Sequence, residues 1–167
     1  LVRAMEKHGA PERTRLWAMI ETPTAIFNVR KIARESDRLA AFVIGTNDLV
    51  KELRADHVPG RTPLLTSLSM ALLAGREAGI AVLDGVYNNV KDADGFRVEC
   101  EQGRDFGFDG KTLIHPGQVE VCNEVFAPSE AAVEEAEGII AAWEAGAGAG
   151  VVTYNGKMIE NLHVDIA

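Results

Sequence analysis

The chain has 167 residues, with 17 Lys plus Arg against 25 Asp plus Glu, a net charge of −8 with His neutral. Apolar residues make up 47% and charged residues 25%, the profile of an ordinary globular protein of one domain. The acidic balance argues against nucleic acid as a partner, because a phosphate backbone demands a basic face, and there is no run of about 18 apolar residues to span a membrane.

Leu1-Val2-Arg3 carries neither a signal peptide nor an initiator Met, which points to a chain that begins mid-gene. The first compact apolar run is Leu16-Trp17-Ala18-Met19-Ile20, closed by Glu21. Ala25 to Arg34 then has helical periodicity, with Ile26, Val29, Ile32 and Ala33 on one face. Ala40 to Ile44 is the second run, closed by Gly45; Thr46, Asn47 and Asp48 offer caps for a helix over Leu49 to Leu53. Arg54 to Pro63 reads as a polar loop, and Leu64 to Ala78 as a long helix stopped by Gly79. Ile80 to Leu83 is the third run, ending at Asp84-Gly85, and Asp92 to Phe106 is the next helix. Thr112-Leu113-Ile114 is the fourth run, followed by His115-Pro116 and a helix over Val119 to Phe126. Ser129 caps the clearest helix, in which Val133, Ala136, Ile140 and Trp143 recur at spacings of three or four. Gly146 to Gly150 is a flexible Gly-Ala link, Val151 to Tyr154 a strand or extended arm, and Asn161 to Ala167 another helix.

Four apolar runs separated by helices predict an α/β chain of βα units, with parallel strands buried on both faces and right-handed crossovers. No G-x-G-x-x-G follows a strand, so a dinucleotide-binding fold has no fingerprint. Polar residues instead close successive runs at Glu21, Asp48, Asp84 and His115, the strand ends where parallel barrels keep their active sites. A full barrel takes about 250 residues, and this chain supplies roughly half the strands. The expected architecture is the C-terminal half of a (β/α)8 TIM barrel over residues 1–145, with the N-terminal strands missing, followed by a link and C-terminal arm over 146–167.

Glu21 and Asp48 stand 27 residues apart, about one βα unit. On neighbouring strands they would face one mouth, and two carboxylates with open positions suit Mg²⁺, which keeps waters and substrate oxygens as its other ligands. The plainer alternative is that Glu21 pairs with a surface Lys and Asp48 only caps a helix. Asp84 to Asn89 reads as a substrate loop or an ordinary turn. Lys111 is placed to meet a phosphate as a point charge, whereas His115 before Pro116 reads as a structural hydrogen-bonding residue. Gln118 and Asn123 read as surface or packing residues. No Gly-x-Ser-x-Gly elbow occurs, and Lys31 and Lys51 fall on helix faces, so acyl-enzyme and Schiff-base chemistry are unsupported. Cys100 and Cys122 lack CxxC spacing, which argues against zinc or a disulfide framework and for a reducing cytoplasm.

Five segments occur in order: Met19-Ile20-Glu21-Thr22-Pro23, Ile44-Gly45-Thr46-Asn47-Asp48-Leu49, Leu83-Asp84-Gly85-Val86-Tyr87, Gly110-Lys111-Thr112-Leu113-Ile114-His115-Pro116 with Gln118, and Asn155-Gly156-Lys157-Met158-Ile159-Glu160. Together they resemble the CoA-ester lyase branch of the HpcH/HpaI aldolase and citrate lyase family, typified by citrate lyase beta and malyl-CoA lyase. The resemblance implies a barrel with Mg²⁺ at its mouth, ligated by Glu21 and Asp48. It implies a reaction that cleaves a 3-hydroxyacyl-CoA of citryl or malyl type into acetyl-CoA and a 2-oxo acid. Gly45, Thr46 and Asn47 would hold the acid's carboxylate, and Lys111 and His115 would lie on the CoA side. Glu160, where the family usually has Asp, would do the proton work in a neighbouring subunit's site, so that a homo-oligomer of trimer type shares its lid, with further lyase subunits as possible partners. The family's substrate-binding Arg comes from the earlier barrel half, so this stretch alone is expected to be inactive. The competing readings are a class II pyruvate-type aldolase on free hydroxy-oxo acids, and a non-catalytic CoA-binding or scaffold subunit.

Overall fold

The structure is a computed structural model that describes residues 1–146 and 148–167. Ala147, inside the expected Gly-Ala link, lies outside the described residues. The chain forms two compact units, Leu1–Phe126 and Ala127–Ala167.

The first unit opens with α1 (Val2–Lys7) and β1 (Leu16–Ile20), then α2 (Pro23–Phe27), α3 (Val29–Ala33) and β2 (Leu39–Ile44). It continues through α4 (Thr46–Leu53), a 3₁₀ stretch (Pro59–Leu64), α5 (Leu65–Ala78), β3 (Ala81–Asp84), α6 (Ala93–Phe106), β4 (Gly110–Lys111), a 3₁₀ turn (Pro116–Gln118) and α7 (Val119–Phe126). The strands form one parallel sheet in the order β1-β2-β3-β4. Each crossover adds the next strand on the same side and the order never reverses, which is the wall of a barrel rather than a doubly wound sheet.

Alternation explains which side is packed. Ile20, Phe42, Ile44 and Val82 point from the strands into a core shared with Ile26, Val29, Leu68, Ala71, Leu72 and Phe108. Burying one such side chain is worth about 1.5–3 kcal/mol. Helix α5 approaches β3 at Gly75, where a Cβ would overlap the Val82 side chain. The expectation of strands buried on both faces fails at β1, the edge strand: Trp17 and Met19 are 62% and 51% exposed on its other face.

The strand and helix boundaries depart from expectation in two places. Ala25 to Arg34 is not one helix: it divides at Asn28, whose side-chain N–H donates to Thr24 O at 2.8 Å and so competes with the backbone ladder. The fourth strand is Gly110–Lys111 rather than Thr112 to Ile114: it pairs with Leu83 and Asp84, and β3 ends at Asp84, whose carbonyl takes the last ladder bond from the Thr112 N–H at 3.0 Å.

The second unit comprises α8 (Glu130–Ala145), β5 (Val152–Tyr154), β6 (Lys157–Ile159) and α9 (Asn161–Ile166). Ser129 caps α8, accepting the Ala132 N–H at 3.1 Å. The strands pair antiparallel across Asn155-Gly156, both at positive φ, as a tight two-residue hairpin turn requires. Tyr154 lies against Gly138 so closely that a Cβ there would overlap the ring, which seats the hairpin on α8. The division therefore falls at 126/127, ahead of the expected 145/146, since α8 packs with the hairpin and α9. Among the described residues no helix is long and apolar enough to cross a membrane.

Candidate active site

Ile20 and Ile44 are paired across neighbouring parallel strands, so Glu21 and Gly45 leave the sheet side by side. The Gly45 N–H donates to Ile20 O at 3.1 Å. Glu21, half-buried, then folds over Gly45. A Cβ built on Gly45 would stand 2.6 Å from Glu21 Oε2, so the absent side chain is the space that the carboxylate occupies. Asp48 follows in the first turn of α4, exposed at the same end of the sheet. The structure thus brings Glu21, Gly45 and the Thr46-Asn47-Asp48 turn together.

Helix α4, like α3 and α5, has no side-chain cap. Helices α2, α6 and α8 are capped by the side chains of Thr22, Asp92 and Ser129. The cap of α4 is Gly45, which has no side chain to offer, so the first-turn N–H groups keep their donors and the positive end of the helix for another acceptor. Thr46 is buried, and among the described residues its Oγ1 has no hydrogen-bond partner. It wedges against Gly85, where a Cβ would lie 2.5 Å from Thr46 Cγ2 and 2.8 Å from Ile44 O. Asn47 is exposed and exchanges amide hydrogen bonds with Asn88, at 3.1 Å from Asn47 Nδ2 and 2.6 Å to Asn47 Oδ1.

The strand-end residues farther along the sheet serve a different purpose. Asp84 is fully buried rather than displayed at a mouth. Arg61 Nη1 donates to both its oxygens at 2.7 Å, Lys111 Nζ to Oδ2 at 3.0 Å, and the Gly85 N–H to Oδ1 at 2.8 Å. Lys111 Nζ also meets Glu99 Oε1 at 2.7 Å, and Arg61 Nε meets Gln102 Oε1 at 2.8 Å. Gly103 of α6 lets this cluster form, since a Cβ there would sit 2.9 Å from Asp84 Oδ2. Two cations and two carboxylates balance, which is the condition for burying charge. The expected meeting of Lys111 with a phosphate does not occur in this geometry, because its side chain is 0% exposed and its ammonium is held by two carboxylates. His115 is exposed and uses Nδ1 to accept the Gly117 N–H at 3.0 Å, capping the 3₁₀ turn. Gln118, read from sequence as a surface or packing residue, is buried and bridges Ile114 N and Tyr87 O.

Sequence reasoning missed Arg61. Its φ of 53°, in a polar loop, carried no signal of a buried partner 23 residues ahead. Cys100 and Cys122 are buried free thiols; burial pushes the Cys100 thiol up to about 12, so it is inert in the fold. Glu160 belongs to the second unit, where its N–H donates to His163 Nδ1 at 3.0 Å at the start of α9.

Among the described residues no group of three or more His, Cys, Asp or Glu side chains is placed to hold a metal. A cation at Glu21 and Asp48 would draw two ligands from the chain and the rest from water and substrate, which suits Mg²⁺ and not a structural zinc.

Residues 2–116 match the family described as HpcH/HpaI aldolase/citrate lyase. The chain is 53% identical over 151 residues to a (3S)-malyl-CoA thioesterase of Cereibacter sphaeroides, covering 89% of this chain and 53% of that protein. It is 38% identical over 159 residues to citrate lyase subunit beta of Escherichia coli, covering 94% and 53%. A solved citrate lyase beta subunit from Mycobacterium tuberculosis, complexed with oxaloacetate and magnesium, superposes with a TM-score of 0.63 at 27% identity, over 75% of this chain and 57% of that one. The chain thus spans about half the length of the curated relatives it matches.

Proposed function

The chain belongs to the HpcH/HpaI aldolase/citrate lyase family, and from that premise we propose that the whole protein is a Mg²⁺-dependent enzyme acting on a 3-hydroxyacyl-CoA of malyl or citryl type. The observation that carries this reading is the Glu21 carboxylate lying in the notch of Gly45, beside the uncapped first turn that bears Asp48. Glu21 and Asp48 would hold Mg²⁺, which when bound polarises the carboxylate and hydroxyl or keto oxygens of the acid portion. The open N–H groups of the Thr46-Asn47-Asp48 turn donate to the acid's carboxylate and fix its orientation.

The first reading is carbon–carbon cleavage. The substrate's hydroxyl proton passes to solvent water as the bond to the acyl α-carbon breaks. The electron pair stays on the acyl-CoA as its enolate, and protonation of that carbon releases acetyl-CoA and a 2-oxo acid. Glu160, presented by a neighbouring subunit of an oligomer, supplies that proton. His115, exposed, is the remaining candidate for the CoA side, whereas Lys111 serves as a buried counter-ion.

A second reading is thioester hydrolysis. It is favoured by the 53% identity to a (3S)-malyl-CoA thioesterase and needs the same grip on the acid portion. Product analysis of the whole protein fed malyl-CoA decides. Acetyl-CoA with glyoxylate supports cleavage, free CoA with malate supports hydrolysis, and no Mg²⁺-dependent product from malyl-CoA or citryl-CoA overturns the proposal. EDTA is expected to abolish turnover, and excess Mg²⁺ to restore it.

Gly45 offers a sharper test. In Gly45→Ala the new methyl lands on the Glu21 carboxylate and pushes it aside. The expected result is a rise of at least about tenfold in the Mg²⁺ concentration for half-maximal rate, the size of effect that follows when a metal ligand is mis-set. The φ of −88° is open to Ala, so backbone strain does not contribute.

A further inference from the structure

We propose that Asn88, on the loop after β3, is a positioning residue that holds the anion-accepting turn of α4 open for the substrate's carboxylate; this rests on the function proposed above. Asn47 and Asn88 are 41 residues apart, and their amides exchange two hydrogen bonds, at 2.6 and 3.1 Å. Each satisfies a donor and an acceptor of the other, so neither amide is left to seek a backbone group.

That matters because of where Asn47 sits. It occupies the first turn of a helix whose cap has no side chain. Asn readily bonds the free N–H groups of its own first turn, and a released Asn47 would fill the acceptor position that the ligand needs. The pairing with Asn88 turns its carboxamide outward and keeps those donors free.

Asn88 is itself held on a fixed loop. Gln118 Nε2 donates to Tyr87 O at 3.0 Å, and the Tyr87 hydroxyl donates to Asp92 Oδ2 at 2.7 Å, so the residue just before Asn88 is tied to both the α6 cap and the turn before α7. Gly85, at the root of the same loop, lies against Thr46. The loop after β3 and the start of α4 therefore meet at two points, one buried and one exposed. Only the exposed one can be removed without disturbing the core.

The test uses the whole protein with malyl-CoA as substrate. Asn88→Ala is expected to raise KM about tenfold, equivalent to about 1.4 kcal/mol, with kcat within twofold and the melting temperature within about 2 °C of wild type. Asn88→Ser, too short to reach Asn47, behaves likewise and guards against a folding defect peculiar to one variant. The double variant Asn47→Ala with Asn88→Ala is expected to be no worse than Asn47→Ala alone, the non-additivity of a residue that acts through another. A KM within twofold of wild type in both Asn88 variants, a loss confined to kcat or to melting temperature, or multiplicative effects in the double variant would each overturn the role. If malyl-CoA is not converted the same series is run with citryl-CoA; a wild-type protein that converts neither overturns the functional reading and this role with it, whereas an active wild type with unchanged Asn88 variants overturns this role alone.

Discussion

Under the proposed metal assignment, Asp48→Ala is expected to lower the Mg²⁺-dependent turnover of the whole protein by about a thousandfold and to leave its melting temperature nearly unchanged. Asp48 is exposed in the first turn of α4, and among the described residues its side chain makes no hydrogen bond or ion pair, so its removal costs little packing. Its loss would take one of the two carboxylates proposed to hold the metal. Losing several kcal/mol of charge stabilisation corresponds to that rate, at about 1.4 kcal/mol per tenfold. Glu21→Gln, which keeps the side chain's size in the notch of Gly45 but removes its charge, is expected to fall by a similar factor. Steady-state rates against Mg²⁺ concentration check both. Retention of more than a tenth of wild-type kcat/KM at saturating Mg²⁺ in both variants sinks the metal assignment, and with it the proposed chemistry.

Asp84→Ala is expected to cost about 3–5 kcal/mol of stability, the range for removing one partner from a buried ion pair. The carboxylate is 0% exposed and takes bonds from Arg61, Lys111 and the Gly85 N–H. Without it Lys111 retains Glu99 at 2.7 Å, whereas Arg61 retains a hydrogen bond to the neutral Gln102 and the Glu99 carboxylate only at 3.9 Å. Arg61 is 4% exposed, so water cannot take up its charge without opening the Pro59–Leu64 stretch. Urea unfolding reads the effect directly: with an m-value of about 1–3 kcal/mol/M the midpoint falls by roughly 2 M. Asp84→Asn, which keeps the shape and one acceptor, is expected to fall between. A midpoint within 0.5 M of wild type in Asp84→Ala, on a scale of about 1–3 kcal/mol/M, rejects the view that this cluster fastens the loop to the sheet.

The fold's periodic parts were legible. The apolar runs that became β1, β2 and β3 sit within a residue or two of their observed ends, because central parallel strands read as unbroken apolar stretches. Helix limits set by local chemistry were also legible, as at Asp92, Ser129 and Gly79, where the stop or start is a property of one residue. What failed depended on partners distant in sequence. The fourth strand stops at Lys111 because its partner β3 ends at Asp84. Asp84 and Lys111 read as strand-end residues free for ligands, since nothing local announces that Arg61 will fold in beneath them. The hairpin of the second unit had a usable sign in Asn155-Gly156, a turn pair flanked by strand-forming residues, that was read only as part of a family motif. Within the candidate site, spacing alone left Glu21 and Asp48 with two readings. The resemblance pointed to metal ligation, and the pairing of Ile20 with Ile44 now accounts for why two residues 27 apart leave neighbouring strands at one end of the sheet.

The wedge of Thr46 against Gly85 has an evolutionary corollary. Any side chain at position 85 would run into Thr46 Cγ2, its hydroxyl and the Ile44 carbonyl at once. Shrinking position 46 would relieve the Thr46 contacts but leave the Ile44 carbonyl 2.8 Å from any Cβ at 85. In divergent descendants of this chain, position 46 should therefore vary while position 85 stays Gly.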